Sequence, residues 1–270
     1  PRPETMQRYP GPAPYRGVVT ENATNAPQDP TPAASFNAAS FEAYLFDLDG
    51  VVTPTADVHM RAWSRMFNQV LVDYEGQAKY TDMDYFTYVD GKPRYDGVRS
   101  FLASRGIDLP EGTPDDAPAA MTVCGLGNRK NALVLDILEQ EGVEPYPGTL
   151  AFLDSLPETA KIAIVSSSKN ARTVLKAAGL LERFEVIVDG NVAAEHSIPG
   201  KPAPDTYLYG AKLVGVPAEK AVVLEDATSG VQAGAAGNFG AVIGVNRGVG
   251  QEALAEAGAT IVVDDLKELA

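Results

Sequence analysis

The sequence has one cysteine, no excess of positive charge and no long apolar run. A single Cys124 cannot close an internal disulfide, which fits a reducing compartment. The net charge of −14, from 36 acidic and 22 basic residues, has the wrong sign for non-specific attraction to nucleic acid or to an anionic membrane. The same field repels small anions, so any phosphate site must be locally basic or metal-assisted. No stretch approaches the roughly 18 apolar residues of a membrane span. The first residues lack the basic-then-apolar order of a signal peptide, and no internal repeat is visible. A soluble, cytoplasmic, monomeric protein that binds neither nucleic acid nor membrane is expected.

Hydrophobic residues make up 45% of the chain, enough for a full core. Residues 1 to 38, rich in Pro, Ala, Asn and Thr, show no apolar periodicity and read as a disordered or draped tail. Six short runs follow that are nearly continuous in apolar character and rich in β-branched residues: Ala43 to Phe46, Ile162 to Val165, Val186 to Val188, Val222 to Leu224, Val242 to Val245 and Ile261 to Val263. These are expected strands, buried on both faces. Helical patterns lie between them at Thr149 to Leu156, Ala171 to Ala178, Thr206 to Leu213 and Thr228 to Ala236. Such alternation predicts an α/β fold with a doubly wound parallel sheet. Residues 56–145 are too many for one crossover. They carry helical stretches at Thr55 to Val72, Val98 to Ser104 and Arg129 to Gln140, which predicts an inserted α-helical domain. The α/β core is then 39–55 together with 146–270.

The polar residues fall where such a sheet would bind a ligand, beyond the carboxyl ends of its strands. Asp47 and Asp49 end the first run, Ser166 ends the second, and Glu225 and Asp226 end the fourth. Lys201 stands in a proline-stiffened loop, Gly200-Lys201-Pro202-Ala203-Pro204. A carboxylate cluster suits a hard cation, and Mg²⁺ typically takes one or two carboxylates plus substrate phosphate. The cation and Lys201 would offset charge that otherwise keeps phosphate and carboxylate apart. A carboxylate nucleophile forms an aspartyl phosphate, and a second carboxylate two residues on can shuttle a proton. Ser166, with the N–H groups after it, could hold phosphoryl oxygens at a helix start. Taken singly, Asp47-Leu48-Asp49 could be turn chemistry, Glu225-Asp226 or Ser166 a helix cap, and Lys201 a solvated charge. Their joint occurrence at strand ends favours the site.

These residues resemble the haloacid-dehalogenase-like superfamily, in particular its β-phosphoglucomutase-like group with a helical cap. The resemblance spans about 41–270 and rests on four motifs: Asp47-Leu48-Asp49-Gly50-Val51, Ser166-Ser167-Ser168-Lys169-Asn170, Lys201-Pro202-Ala203-Pro204-Asp205, and Glu225-Asp226-Ala227-Thr228-Ser229-Gly230. It implies Asp47 as nucleophile and Mg²⁺ ligand, and Asp49 as acid/base that also binds metal through its carbonyl. Ser166 and Lys201 would hold the transferring phosphoryl group. Asp226 would ligate the metal, with Glu225 in a direct or outer role. Thr55, His59 and Trp63, spaced four apart on one helix face, match the corresponding residues of that group; Trp63 could equally be core packing. Arg94 matches an arginine for a second phosphate, and Lys130 a lysine that reads the substrate. Ser168 and Asn170 complete the implied substrate-binding set.

Two positions depart from the pattern. Asp90 stands where the group has a lysine, and Pro54 replaces an aspartate between Thr53 and Thr55. Asp90 would repel a second phosphate unless Lys92 compensates. The resemblance therefore implies a sugar-phosphate mutase, with a sugar-phosphate phosphatase as the alternative and a non-catalytic binding protein as a third reading. No role is expected for His196 or Cys124.

Overall fold

The computed structural model describes residues 36–270, so most of the expected tail lies outside the described residues. Packing against the core begins by Phe36, inside that expected tail. Its ring stacks on Phe41 at 5.8 Å and meets Phe152 at 6.3 Å. Two isolated phenylalanines, Phe36 and Phe41, give no periodic signal, which is why the sequence pattern places the boundary later.

All six expected strands form: β1 Ala43–Phe46, β2 Lys161–Val165, β3 Val186–Val188, β4 Ala221–Glu225, β5 Ala241–Val245 and β6 Ile261–Val263. They make one parallel sheet in the order β3-β2-β1-β4-β5-β6. The winding direction reverses beside β1, which pairs with β2 on one side and β4 on the other. A crevice at the carboxyl ends of β1 and β4 follows from that reversal.

Strand side chains alternate between faces, and the core divides accordingly. Tyr44, Phe46 and Ile164 pack with Phe152 and Val174, while Leu45, Ala163 and Val165 pack with Tyr207, Ala211 and Val231. Both faces are thus covered by helices, as apolar runs without alternation require. No described helix is long and apolar enough to cross a membrane.

The stretch between β1 and β2 is helical: α1 Thr55–Leu71, α2 Asp82–Asp84, α3 Arg94–Ser104 and α4 Val123–Glu141, followed by α5 Pro147–Ser155. Its own apolar cluster joins Trp63, Phe67 and Val70 of α1 to Phe101 of α3 and Leu126 of α4. The first turns of α1 instead place Val58 and Ala62 in the sheet's cluster, so α1 ties the helical unit to the sheet. Helices α3 and α4 begin earlier than the sequence pattern suggests. Pro93 and Thr122 set their starts, but the polar Arg94-Tyr95-Asp96 and the glycines Gly125 and Gly127 hide the apolar period there. The remaining helices are α6 Ala171–Ala177, α7 Gly190–Glu195, α8 Asp205–Val214, α9 Thr228–Ala236 and α10 Gln251–Glu256.

Candidate active site

At the reversal point the strand ends deliver the expected polar residues to one enclosed place. Asp47 follows β1 and donates its backbone N–H to Leu224 O of β4 at 2.9 Å. That bond fixes its side chain beside Glu225 and Asp226. These three can each offer a carboxylate oxygen, with the oxygens within 4.8 Å of one another. Lys201 enters from the far side of β2. Its Nζ donates to Asp47 Oδ1 at 2.5 Å, to Glu225 Oε1, and to Val165 O at 3.2 Å. Lys201 is 3% exposed, and its Nζ also lies 4.9 Å from the centre of the Tyr207 ring.

One cation among three buried carboxylates leaves the cluster short of positive charge. Burial, followed by the Asp90, Glu225 and Asp47 charges, pushes the Asp226 carboxyl well above its ordinary range. Burial also raises Asp47; the Lys201 charge opposes it, and Glu225 and Asp49 add to it. Burial alone would depress Lys201, but the charges of Asp47 and Glu225 more than offset it and hold the ammonium above its ordinary value. This imbalance and the all-oxygen donor set fit a hard divalent cation.

The two carboxylates after β4 divide the work. Both Glu225 oxygens are engaged, Oε1 by Lys201 and by Tyr207 OH at 3.2 Å, and Oε2 by the N–H of Ala227 at 2.9 Å. Of the two roles expected for Glu225, anchoring Lys201 from the outer layer is the one its contacts favour. Asp226 faces Gly50, where a β-carbon would run into its carboxylate; φ there is +91°, so only glycine is suited on both counts. Tyr207 escaped the sequence reading, since a tyrosine in the first turn of α8 carries no motif signal.

Asp49 turns toward the helical unit. It accepts a hydrogen bond from Thr55 Oγ1, which also sits 2.8 Å from Thr53 Oγ1. His59 Nε2 lies 3.7 Å from Asp49 Oδ1 and is buried with no hydrogen-bond partner among the described residues. The opposite ring nitrogen, Nδ1, lies 2.9 Å from Lys130 Nζ; when Lys130 is an ammonium it can only donate, and the imidazole proton is then on Nε2. Lys130 stands 4.8 Å from the centre of the Trp63 ring. Trp63 lines the pocket and also stacks on Phe67 at 5.3 Å inside the helical cluster, the core packing weighed for it. Burial, with Arg94 nearby, lowers Lys130 to about 7. Burial and the Lys130 charge lower His59 to about 4.

The depressed lysine has a measurable cost. Unfolded, Lys130 keeps its proton up to its ordinary value of 10.5. Folded, it gives the proton up near 7, so its penalty is complete below pH 7 and relieved as pH rises towards 10. Lys130→Met is therefore expected to stabilise the protein at pH 7 by on the order of 2 kcal/mol. It should also flatten the rise in stability between pH 7 and 10, as read by denaturant titration at several pH values. A variant less stable than wild type at pH 7 would show that the lysine is compensated.

A second polar group forms away from the carboxylates. Asn131 Oδ1 accepts from Arg94 Nη2 at 2.6 Å and from Asn170 Nδ2 at 2.7 Å. Ser166 Oγ and Ser168 Oγ accept the N–H groups of Ser168 and Asn170, each at 3.1 Å, shaping the loop after β2. Asn131, adjacent to Lys130, carries no motif signal; its bridging role depends on a contact 39 residues away in sequence. The same pocket is lined by Asp90, Lys92 and Lys169. Lys92 does not neutralise Asp90, contrary to the compensation considered from sequence. Its Nζ donates to Tyr88 O at 3.0 Å and to Ser100 Oγ at 2.9 Å. Burial, opposed by a hydrogen bond with Tyr85, reinforced by Glu225 and countered by the Lys201 charge, raises Asp90 to about 7. His196 is exposed and Cys124 is buried in α4; neither joins the site.

Residues 41–238 match the family model of haloacid dehalogenase-like hydrolases. A β-phosphoglucomutase of Mycobacterium tuberculosis is 48% identical over 238 residues, covering 84% of this chain and 90% of that protein. Hexitol phosphatase A of Escherichia coli is 31% identical over 198 residues, covering 72% of this chain and 79% of that protein. Among solved structures, a β-phosphoglucomutase from Clostridium difficile superposes with a TM-score of 0.69 at 25% identity, covering 85% of this chain and 93% of that one.

Proposed function

The chain belongs to the haloacid dehalogenase-like hydrolase family and is a phosphotransferase of it; on that premise we propose that it interconverts β-glucose 1-phosphate and glucose 6-phosphate. The observation that carries this reading is two separate groups of donor side chains that meet at one pocket. Ser166 lines it together with Asp47, whose carboxylate is held from behind by Lys201, and Arg94 lines it with Asn170 on the bridging Asn131. A bisphosphate that must bind either way round needs two such groups.

In the proposed reaction the Asp47 carboxylate attacks phosphorus, and a P–O bond to Asp47 forms as the bond to the departing sugar oxygen breaks. Asp49 gives that oxygen a proton and later takes one from the sugar hydroxyl that attacks the phosphoaspartate. Thr55 orients Asp49 through its hydroxyl, and Lys201 places its charge on the transferring group. Asp47 and Asp226, with the Asp49 carbonyl, would hold Mg²⁺, which when bound neutralises the phosphoryl oxygens. His59 Nε2–H and the Lys130 ammonium face the space where sugar hydroxyls would lie, and the helical unit acts as a cap that keeps water out.

Phosphorus NMR with Mg²⁺, β-glucose 1-phosphate and a trace of the 1,6-bisphosphate tests the reading. Glucose 6-phosphate should accumulate without free phosphate. Steady phosphate release would instead support a sugar-phosphate phosphatase. That second reading is favoured by one observation, Asp90 in the pocket with Lys92 bonded elsewhere, and is in keeping with the likeness to a hexitol phosphatase.

The distal subsite makes a separate prediction. Arg94→Ala should lower mutase turnover by about 100-fold, the loss of a charge-assisted contact in a dry site. Hydrolysis of a small phosphate ester should fall less than threefold. Equal losses would show that Arg94 does not hold the second phosphate.

A further inference from the structure

The loop that carries Asp90 is held down by two hydroxyls that have no part in the phosphoryl chemistry. Ser167 Oγ, in the loop after β2, donates to Gly91 O at 2.8 Å. Ser229 Oγ, in the first turn of α9 after β4, donates to Asp90 O at 3.1 Å. Consecutive carbonyls of one cap loop are thus gripped by two different core loops. We propose that Ser167 and Ser229 are positioning residues, a two-point latch that fixes the closed cap and keeps water from the phosphorylated Asp47.

The neighbouring serines show that this direction is specific. Ser166 and Ser168 turn their hydroxyls onto N–H groups of their own loop, whereas Ser167, between them, reaches across to the cap. Ser229 lies three residues past Asp226, at 7% exposure. Both bonds go to backbone oxygens, so the latch reads the loop's path and not its side chains.

That path is possible only for glycine at position 91. Its φ is +68°, and a β-carbon there would run into Ser229 Oγ and come within 3.0 Å of Ala227 Cβ. A third core loop closes the grip from below, because a β-carbon on Gly200, next to Lys201, would run into the Pro93 ring. The loops bearing Ser166, Lys201 and Asp226 therefore all meet residues 90–93. The latched loop leads directly into α3, whose first residue is Arg94. Latching thus sets Asp90 and Arg94 over the pocket together.

A neutral hydrogen bond of this kind is worth about a fivefold shift in a two-state ratio, and two independent bonds about 25-fold. The first arm of the test needs no substrate. Fluorophores on Met83→Cys of the cap and Leu213→Cys of the core, both exposed (72% and 48%), in a Cys124→Ser background, report open and closed populations by single-molecule energy transfer. Ser167→Ala and Ser229→Ala should each raise the open-to-closed ratio about fivefold, and the double variant about 25-fold. Gly91→Ala, which opens the loop by collision, should do so at least as strongly. A double variant within twofold of the parent would overturn the latch.

The second arm rests on the phosphoryl-transfer reading above. It measures inorganic phosphate released per sugar phosphate turned over, which should rise about tenfold or more in the double variant. An opened cap with an unchanged ratio would overturn the role in excluding water. If no sugar phosphate is turned over by the parent protein, the proposed function fails while the first arm still decides the latch.

Discussion

Asp47→Asn is expected to abolish phosphoryl transfer, lowering turnover by at least about 10⁴-fold, and to remove any acid-stable phosphoenzyme formed from a phosphoryl donor. The amide keeps the shape of the carboxylate but has no charge to attack phosphorus. The loss should not come from unfolding. Asp47 is buried among Glu225, Asp226 and a single Lys201, and its carboxyl is raised by that burial. Taking one charge from a cluster with too many should leave stability without added metal equal or higher. Rapid-quench labelling and thermal melts on the same preparation check both halves. Turnover within tenfold of wild type would remove Asp47 from the nucleophile's role.

Lys201→Met should act in the opposite sense on stability. The ammonium is 3% exposed and touches Asp47, Glu225 and the Val165 carbonyl. Without it, three buried carboxylates stand with no adjacent cation, a change that costs about 3–5 kcal/mol when one partner of a buried pair is removed. The sign of the pH dependence follows from the raised carboxyls. Asp47 and Asp226 already sit above their ordinary value of 3.8, and losing Lys201 raises Asp47 further. Groups raised in the folded state contribute stability that is present below the unfolded value and lost as pH rises through the folded one. The variant should therefore be least stable at pH 7 and above, and should recover towards wild type as pH falls below 5. Saturating Mg²⁺ should restore part of the deficit at pH 8, because a bound cation replaces the missing charge. Denaturant titrations at pH 5 and 8, with and without Mg²⁺, measure this; a penalty independent of pH would mean that lost packing against Tyr207 dominates.

Much of this site is local in sequence. Asp47, Asp49, Ser166, Glu225 and Asp226 each directly end a strand or follow it, and the strands announce themselves as apolar runs. Lys201 was legible through its prolines. The helical unit was legible as a surplus of helix-forming chain, though the starts of α3 and α4 were hidden by polar residues and glycines at their first turns.

The contacts proposed to choose a substrate were not legible. His59 meets Lys130 across 71 positions, and Arg94 meets Asn131 across 37. Lys92 and Arg94, two residues apart, look alike in sequence. One is spent on Tyr88 and Ser100 and the other points to Asn131. Asp90 could be flagged as a departure, but its lack of a partnering lysine depends on where the Lys92 rotamer goes.

By itself the sequence determined the doubly wound sheet, the gathering of carboxylates and a lysine at its edge, and the presence of a helical insertion. Those properties follow from periodicity and from residue type at strand ends, which are local. Only the tertiary structure decided that Glu225 binds Lys201, that Lys92 turns to Tyr88 and Ser100 and away from Asp90, and that Ser167 and Ser229 donate to the carbonyls of Gly91 and Asp90. Those are matters of direction and distance between segments far apart in the chain, fixed by how the helical unit packs over the sheet.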